Sequence, residues 1–217
     1  MSRFGRGPCS CLPDLPLMSY GRLGADMARI RIIEPSEADS GLKEIYDSLA
    51  SSRGKLAEVH KLQSLNPPTI PAHMDLYMKI MFSRSPLSRA EREMMAVVVS
   101  VTNGCEYCRE HHLEALKHFW PEYEAMAIAR LDAYAAGLDD RLKALFEYAR
   151  GLTADPQKAS ADDYWVDHLR AVGLDDRGIL DATLVISYFN FVNRMVMGLG
   201  VELESDPGGY RYESASE

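Results

Sequence analysis

The stretch SRAEREMMAVVVSVTNGCEYCREHH, residues 88–112, decides the fold. It opens on Ser88 and Glu91 in an S-x-x-E capping box, where each side chain satisfies a free backbone N–H of the other at a helix start. Met94, Met95, Val97, Val98, Val99 and Val101 follow. A valine run suits a buried strand as well as a helix. The cap, and the run of more than ten residues before Asn103-Gly104, select the helix. A second helix then runs from Cys105 to Phe119 and stops at Trp120-Pro121.

Outward from this pair, nearly every segment after Met27 has helical periodicity. Upstream, helices are predicted over Glu37 to Ala50 and Leu56 to Leu65, with a third from about Pro71 that ends at Ser85-Pro86. Downstream they are predicted over Glu122 to Ala136, Asp139 to Leu152, Ala161 to Val172 and Asp175 to Gly198. Ser160 and Asp163 repeat the capping pattern, and the Ala154-Asp155-Pro156 stretch reads as a turn. With no Asn-Gly hairpin signal between alternating segments, the expected class is all-α.

The chain has 217 residues, 47% hydrophobic and 26% charged, which suits a globular protein. Its net charge of −8 repels phosphate backbones and argues against a nucleic-acid partner. The most apolar stretch, Leu184 to Leu203, is interrupted by Asn190, Asn193 and Arg194, so it reads as a core or interface helix and not a membrane span. Residues 1–26 are rich in Gly, Pro and Arg, lack a continuous apolar region, and read as a flexible extension, with the cytoplasm as default address. The main domain is expected over 27–204, with a core motif at 72–120 and a frayed tail over 205–217.

Cys9 and Cys11 fall in the leader; Cys105 and Cys108 form the one C-x-x-C. At about 100° per residue, Cys108 falls about 300° and His112 about 340° from Cys105, so two thiols and an imidazole share one helix face. His111 lies at the margin of that cluster and Tyr107 further round. A helix N-terminus favours a thiolate, and a C-x-x-C there can close into a disulfide without moving the backbone. Redox cycling is therefore favoured over two alternatives. One is an inert buried cysteine pair beside a core histidine. The other is a zinc site using Cys105, Cys108 and His112 or His111, which lacks a second ligand pair at finger spacing. His60, His73, His118 and His168 are scattered singly and read as ordinary core or surface histidines. No nucleotide, flavin or haem motif is present.

The run Pro86-Leu87-Ser88 through Glu93, Val97 to Cys108 and His112 resembles the carboxymuconolactone decarboxylase superfamily, in its branch of AhpD-type alkylhydroperoxidases and peroxidase-related proteins. The shared signature is a glutamate, a C-x-x-C twelve residues on, and a histidine four past the second cysteine; Glu93, Cys105, Cys108 and His112 occupy those positions. The segments Tyr188 to Arg194 and Gly198 to Glu202 also look like the peroxidase-related branch. The resemblance implies a single bundle of about eight to ten helices. It also implies an antioxidant enzyme that reduces hydroperoxides through a Cys105–Cys108 dithiol cycle, with Cys108 as the attacking thiolate and Cys105 as the resolving thiol. Glu93 and His112 would form the proton relay. Tyr107 stands where AhpD has a histidine, which thins that relay, since tyrosine is no base near neutral pH. An external dithiol reductant of lipoyl or thioredoxin-like kind and a homo-oligomer (dimer, trimer or hexamer) are further implications; no cofactor or metal is. Two other readings stay open: a non-catalytic helical oligomer with a structural or sensing C-x-x-C, and a decarboxylase-like enzyme using Glu93 and His112 as acid and base.

Overall fold

A computed structural model of the chain describes residues 28–210. The leader, with Cys9 and Cys11, and residues 211–217 of the tail lie outside the described residues. Over the described residues the protein is all-α, with ten helices. They are α1 (Ser40–Arg53), α2 (Glu58–Lys61), α3 (Thr69–Phe82), α4 (Arg89–Asn103), α5 (Glu106–Lys117), α6 (Glu122–Ile128), α7 (Asp140–Ala154), α8 (Pro156–Ala159), α9 (Tyr164–Ala171) and α10 (Asp176–Leu199).

Helix α4 is the hub, packed against α5, α7 and α10 and touching α3 and α6. Every residue from Glu91 to Ser100 is buried, so its valines face neighbours on all sides rather than along one stripe. The capping box forms as read: Ser88 Oγ accepts from the Glu91 N–H at 3.2 Å, and the Ser88 N–H donates to Glu91 Oε2 at 2.6 Å. At the other end Gly104 takes a left-handed conformation, φ 72°, which costs glycine little. The chain thereby turns directly into α5, with the Cys105 N–H bonded to Ser100 O at 2.9 Å. A smaller apolar cluster of Leu42, Tyr46, Leu49, Ile70 and Met74 joins α1 to α3. Arg29 ties the start of the described chain to the carbonyls of Met197 and Gly198 at the end of α10.

Four local expectations are corrected. The second helix is one turn, Glu58–Lys61, followed by tight turns instead of helix through Leu65. α6 ends at Ile128, not Ala136: Leu131 has φ 55°, and Asp132 Oδ1 accepts from the Ala135 N–H at 2.8 Å, a local bond that competes with helix continuation. Asp155-Pro156 starts α8, with the Asp155 side chain capping Lys158 N–H and proline at the first position. Ser160 consequently closes α8 rather than opening α9, and Asp163 makes no side-chain cap. The tail is docked over its described part, Lys55 standing over the Tyr210 ring at 4.4 Å and 3.8 Å from Asp206 Oδ2. Among the described residues no helix is long and apolar enough to cross a membrane.

Ser88→Ala removes half of the box that starts the central helix. The expected cost is about 1 kcal/mol, seen as a lower urea midpoint at unchanged slope; an unmoved midpoint would mean the box adds nothing.

Candidate active site

The turn at Gly104 places Cys105 at the N-cap of α5 and Cys108 in its first turn, as the spacing implied. Both are free thiols, buried, with their sulfurs 2.9 Å apart. Sharing one hydrogen bond makes them titrate as a pair. The bond between them pulls the Cys105 thiol down against the opposing effect of burial. The same bond and burial push Cys108 well up, while Asn193 draws it back. The ionisation thus belongs to the pair, with one proton held between the two sulfurs.

One turn along α5, His112 Nδ1 lies 2.7 Å from Glu93 Oε2 on α4. Spacing alone could not place Glu93 here; the hub helix does. Glu93 is fully buried, and burial by itself would raise its carboxyl. Arg89, bonded to Oε1, and then His112 outweigh burial and hold the group below its ordinary value. An ionised carboxylate only accepts, so His112 carries its proton on Nδ1 toward Glu93 and turns a basic Nε2 outward.

Behind the thiols an amide network fixes α10. Asn103 Nδ2 donates to Asn193 Oδ1 at 2.9 Å and to Asn190 Oδ1 at 3.1 Å. Asn193 Nδ2 reaches Ser100 Oγ at 3.3 Å, and Asn190 Nδ2 reaches Thr153 Oγ1 at 3.0 Å. These polar residues on an apolar helix thus hold α4, α7 and α10 together.

In front of Cys108 lies a cavity of about 90 Å³. His112, Phe189, Val192 and Tyr77 line it, and so do His60, His73 and Tyr188. The two histidines, read in sequence as unrelated, meet here with ring centroids 5.7 Å apart. Burial first, with the charges of His73 and Arg53, brings His60 down to about 3, and burial brings His73 to about 4, so both are neutral at pH 7. Gln63 Nε2 faces Val59 O at 3.3 Å and His73 Nδ1 at 2.7 Å. A carbonyl accepts only, so the Gln63 amide is the donor and His73 Nδ1 the acceptor. His73 Nε2–H then donates to Tyr188 Oη, 2.6 Å away, which leaves the tyrosine hydroxyl proton for another acceptor. No local spacing could reveal this chain, since its members come from three separated segments.

The secondary candidates Tyr107 and His111 form one wall. Their rings lie 4.2 Å apart, and both reach Glu204: Tyr107 Oη donates to Oε1 at 3.1 Å and His111 Nε2 lies 3.0 Å from Oε2. The Val59 N–H also donates to Tyr107 Oη. Burial, then Glu204, push the Tyr107 phenol well above 10, so it stays a neutral hydrogen-bonding wall. Among the described residues no group of three or more His, Cys, Asp or Glu side chains is arranged to hold a metal ion.

Residues 68–150 match the model of the carboxymuconolactone decarboxylase family. The fold is similar to an uncharacterized peroxidase-related protein from Silicibacter sp. TM1040, with TM-score 0.72 and 25% identity over 82% of this chain and 93% of that one. It is also similar to an alkylhydroperoxidase AhpD core, an uncharacterized peroxidase-related protein from Ralstonia eutropha JMP134, with TM-score 0.73 and 20% identity over 83% of this chain and 94% of that one. The debrominase Bmp8 shares the fold with TM-score 0.67 and 19% identity, over 81% of this chain and 92% of that one. No curated protein matches the chain.

Glu204 supplies a pH test of the wall. Burial raises its carboxyl, but the contact with His111 and the Glu58 N–H bring it from 4.5 down to about 2. A depressed carboxylate stabilises the fold above its unfolded value and loses that contribution as pH falls through the folded one. The stability gap between wild type and Glu204→Gln in urea should be full at neutral pH and shrink from about pH 4.5 to about pH 2. A gap that does not change over this range contradicts the assignment.

Proposed function

The chain belongs to the carboxymuconolactone decarboxylase superfamily, with an AhpD-like helical fold, and on that premise we propose that it is a thiol-dependent peroxidase acting on hydroperoxides. One observation carries the reading: Cys108 and His112 open on the same cavity, while Cys105 stands 2.9 Å behind Cys108 and does not line it. Access supports attack by Cys108. A proton shared across the pair lets the charge pass to Cys108 once His112 Nε2 takes up its proton.

The Cys108 sulfur attacks the distal peroxide oxygen; an S–O bond forms and the O–O bond breaks. The leaving alkoxide receives the proton held on His112, and Glu93 stabilises the imidazolium meanwhile. Cys108 becomes a sulfenic acid, oxidised by two electrons. Cys105 then displaces water from it to give the disulfide. An external dithiol, lipoyl or thioredoxin-like, returns the pair to thiols. The amide network behind the thiols keeps them in register, and its Asn193 favours the charged form of Cys108. Self-association as a homo-oligomer is part of the proposal, supported by Leu180, Leu184 and Phe191, exposed on one face of α10.

A passive structural disulfide needs no buried Glu93–His112 couple, and acid–base chemistry alone needs no Cys108. Intact mass after one equivalent of organic hydroperoxide separates these cases. Wild type should lose about two mass units and both thiols of the pair should resist alkylation. Cys108→Ser should form no disulfide, and His112→Gln should slow its formation by about 10²-fold or more. Thiols that stay free and alkylatable after peroxide would sink the peroxidase reading.

A further inference from the structure

The wall of the cavity holds a charge that the redox cycle does not use. Arg53, the last residue of α1, lies outside the family-matched residues and is 8% exposed. Its guanidinium sits over the rings of Phe82 and Tyr77, 5.1 and 5.6 Å from their centroids, and Nη1 has a thioether sulfur, Met78 Sδ, at 3.9 Å. Among the described residues no carboxylate or carbonyl accepts from it. The contrast with its neighbours is plain. Arg89 is paired with Glu93, and the similarly buried Arg92 donates to the carbonyls of Leu87 and Ile80 from all three of its nitrogens. Aromatic faces soften a buried cation, yet they leave the planar fork of N–H donors on its edge unspent.

Arg53 lines the cavity beside His60, whose buried Nδ1 has no partner, and Tyr188, whose hydroxyl proton is turned away from His73. We propose that Arg53, with Tyr188 and His60, forms an anion subsite that takes the carboxylate of the substrate, so that the enzyme acts on small hydroperoxides bearing a carboxylate. Guanidinium and carboxylate match as two-pronged partners, and Tyr188 supplies a third donor. One negative charge suits the site, because both histidines are neutral and only Arg53 is charged; a phosphate dianion would leave charge uncompensated among Met74, Phe189 and Val192. The carboxylate end would then lie at Arg53 and the peroxide at Cys108.

The choice of hydroperoxide rests on the peroxidase reading; the anion site does not, and the test separates them. Disulfide formation is timed with 4-hydroperoxy-4-methylpentanoic acid and with its methyl ester. Wild type should favour the acid by tenfold or more, Arg53→Met should bring the ratio near one, and Arg53→Lys should fall between. Equal rates in wild type, or a preference that survives Arg53→Met, overturns the proposal. In a second arm without peroxide, benzoate and benzyl alcohol compete with N-ethylmaleimide at Cys108, followed by peptide mass. Benzoate should protect wild type alone; no protection, or equal protection of Arg53→Met, also overturns it. Should neither hydroperoxide oxidise wild type while benzoate still protects, the peroxidase reading has failed and the anion subsite stands.

Discussion

A carboxylate with no exposed surface governs this architecture. Glu93 cannot be left charged in a dry interior unless both oxygens are satisfied, because desolvation of an ion is far costlier than one hydrogen bond returns. Arg89 takes one oxygen and His112 the other. Arg89 comes from the same helix, so that bond is local; His112 comes from α5, so that bond sets how α5 lies on α4. The register of the thiols follows, since Cys105 and Cys108 ride on the same helix as His112. The interaction that keeps a buried charge tolerable is thus also the one that aims the imidazole.

Around this axis polarity is sorted by position. Neutral amides lie behind the thiols, where they bind helices to one another without charge. Neutral imidazoles and a phenol lie in front, with the His73 tautomer set by Gln63 and ultimately by the Val59 carbonyl. A net charge of −8 over the whole chain conceals this arrangement, because the cavity itself carries an unneutralised cation. Surface composition and cavity composition answer different questions here.

How much of this could be read in advance depends on the reach of each signal. The capping box at Ser88 and Glu91 and the glycine after Asn103 are local, and both appear as read. The α6 boundary was overrun because the Asp132 side chain offers the backbone a competing bond that hydrophobic periodicity does not register. The shared face of Cys105, Cys108 and His112 was legible from helical geometry. The approach of Glu93 came only through likeness to other proteins, since it is a contact between two helices. Arg53, His60, His73, Gln63 and Glu204 were illegible for the same reason in stronger form: they lie on α1, α2, α3, a turn and the tail, and nothing in their neighbourhoods marks them out. The coupling of the thiols escaped too, because it arises from a 2.9 Å contact rather than from the helix end alone.

The described tail carries a further meaning when the chain is considered as something made in time. The residues that do chemistry are contiguous, from α4 into α5, and can assemble as one hairpin of helices. The wall is not: Glu204 closes on Tyr107 from 97 residues further along, and it and Tyr210 also meet His111 and Lys55 respectively. A growing chain therefore exposes the α4–α5 hairpin well before Glu204 and Tyr210, so this wall can close on Tyr107 and His111 only after the dithiol is already in place.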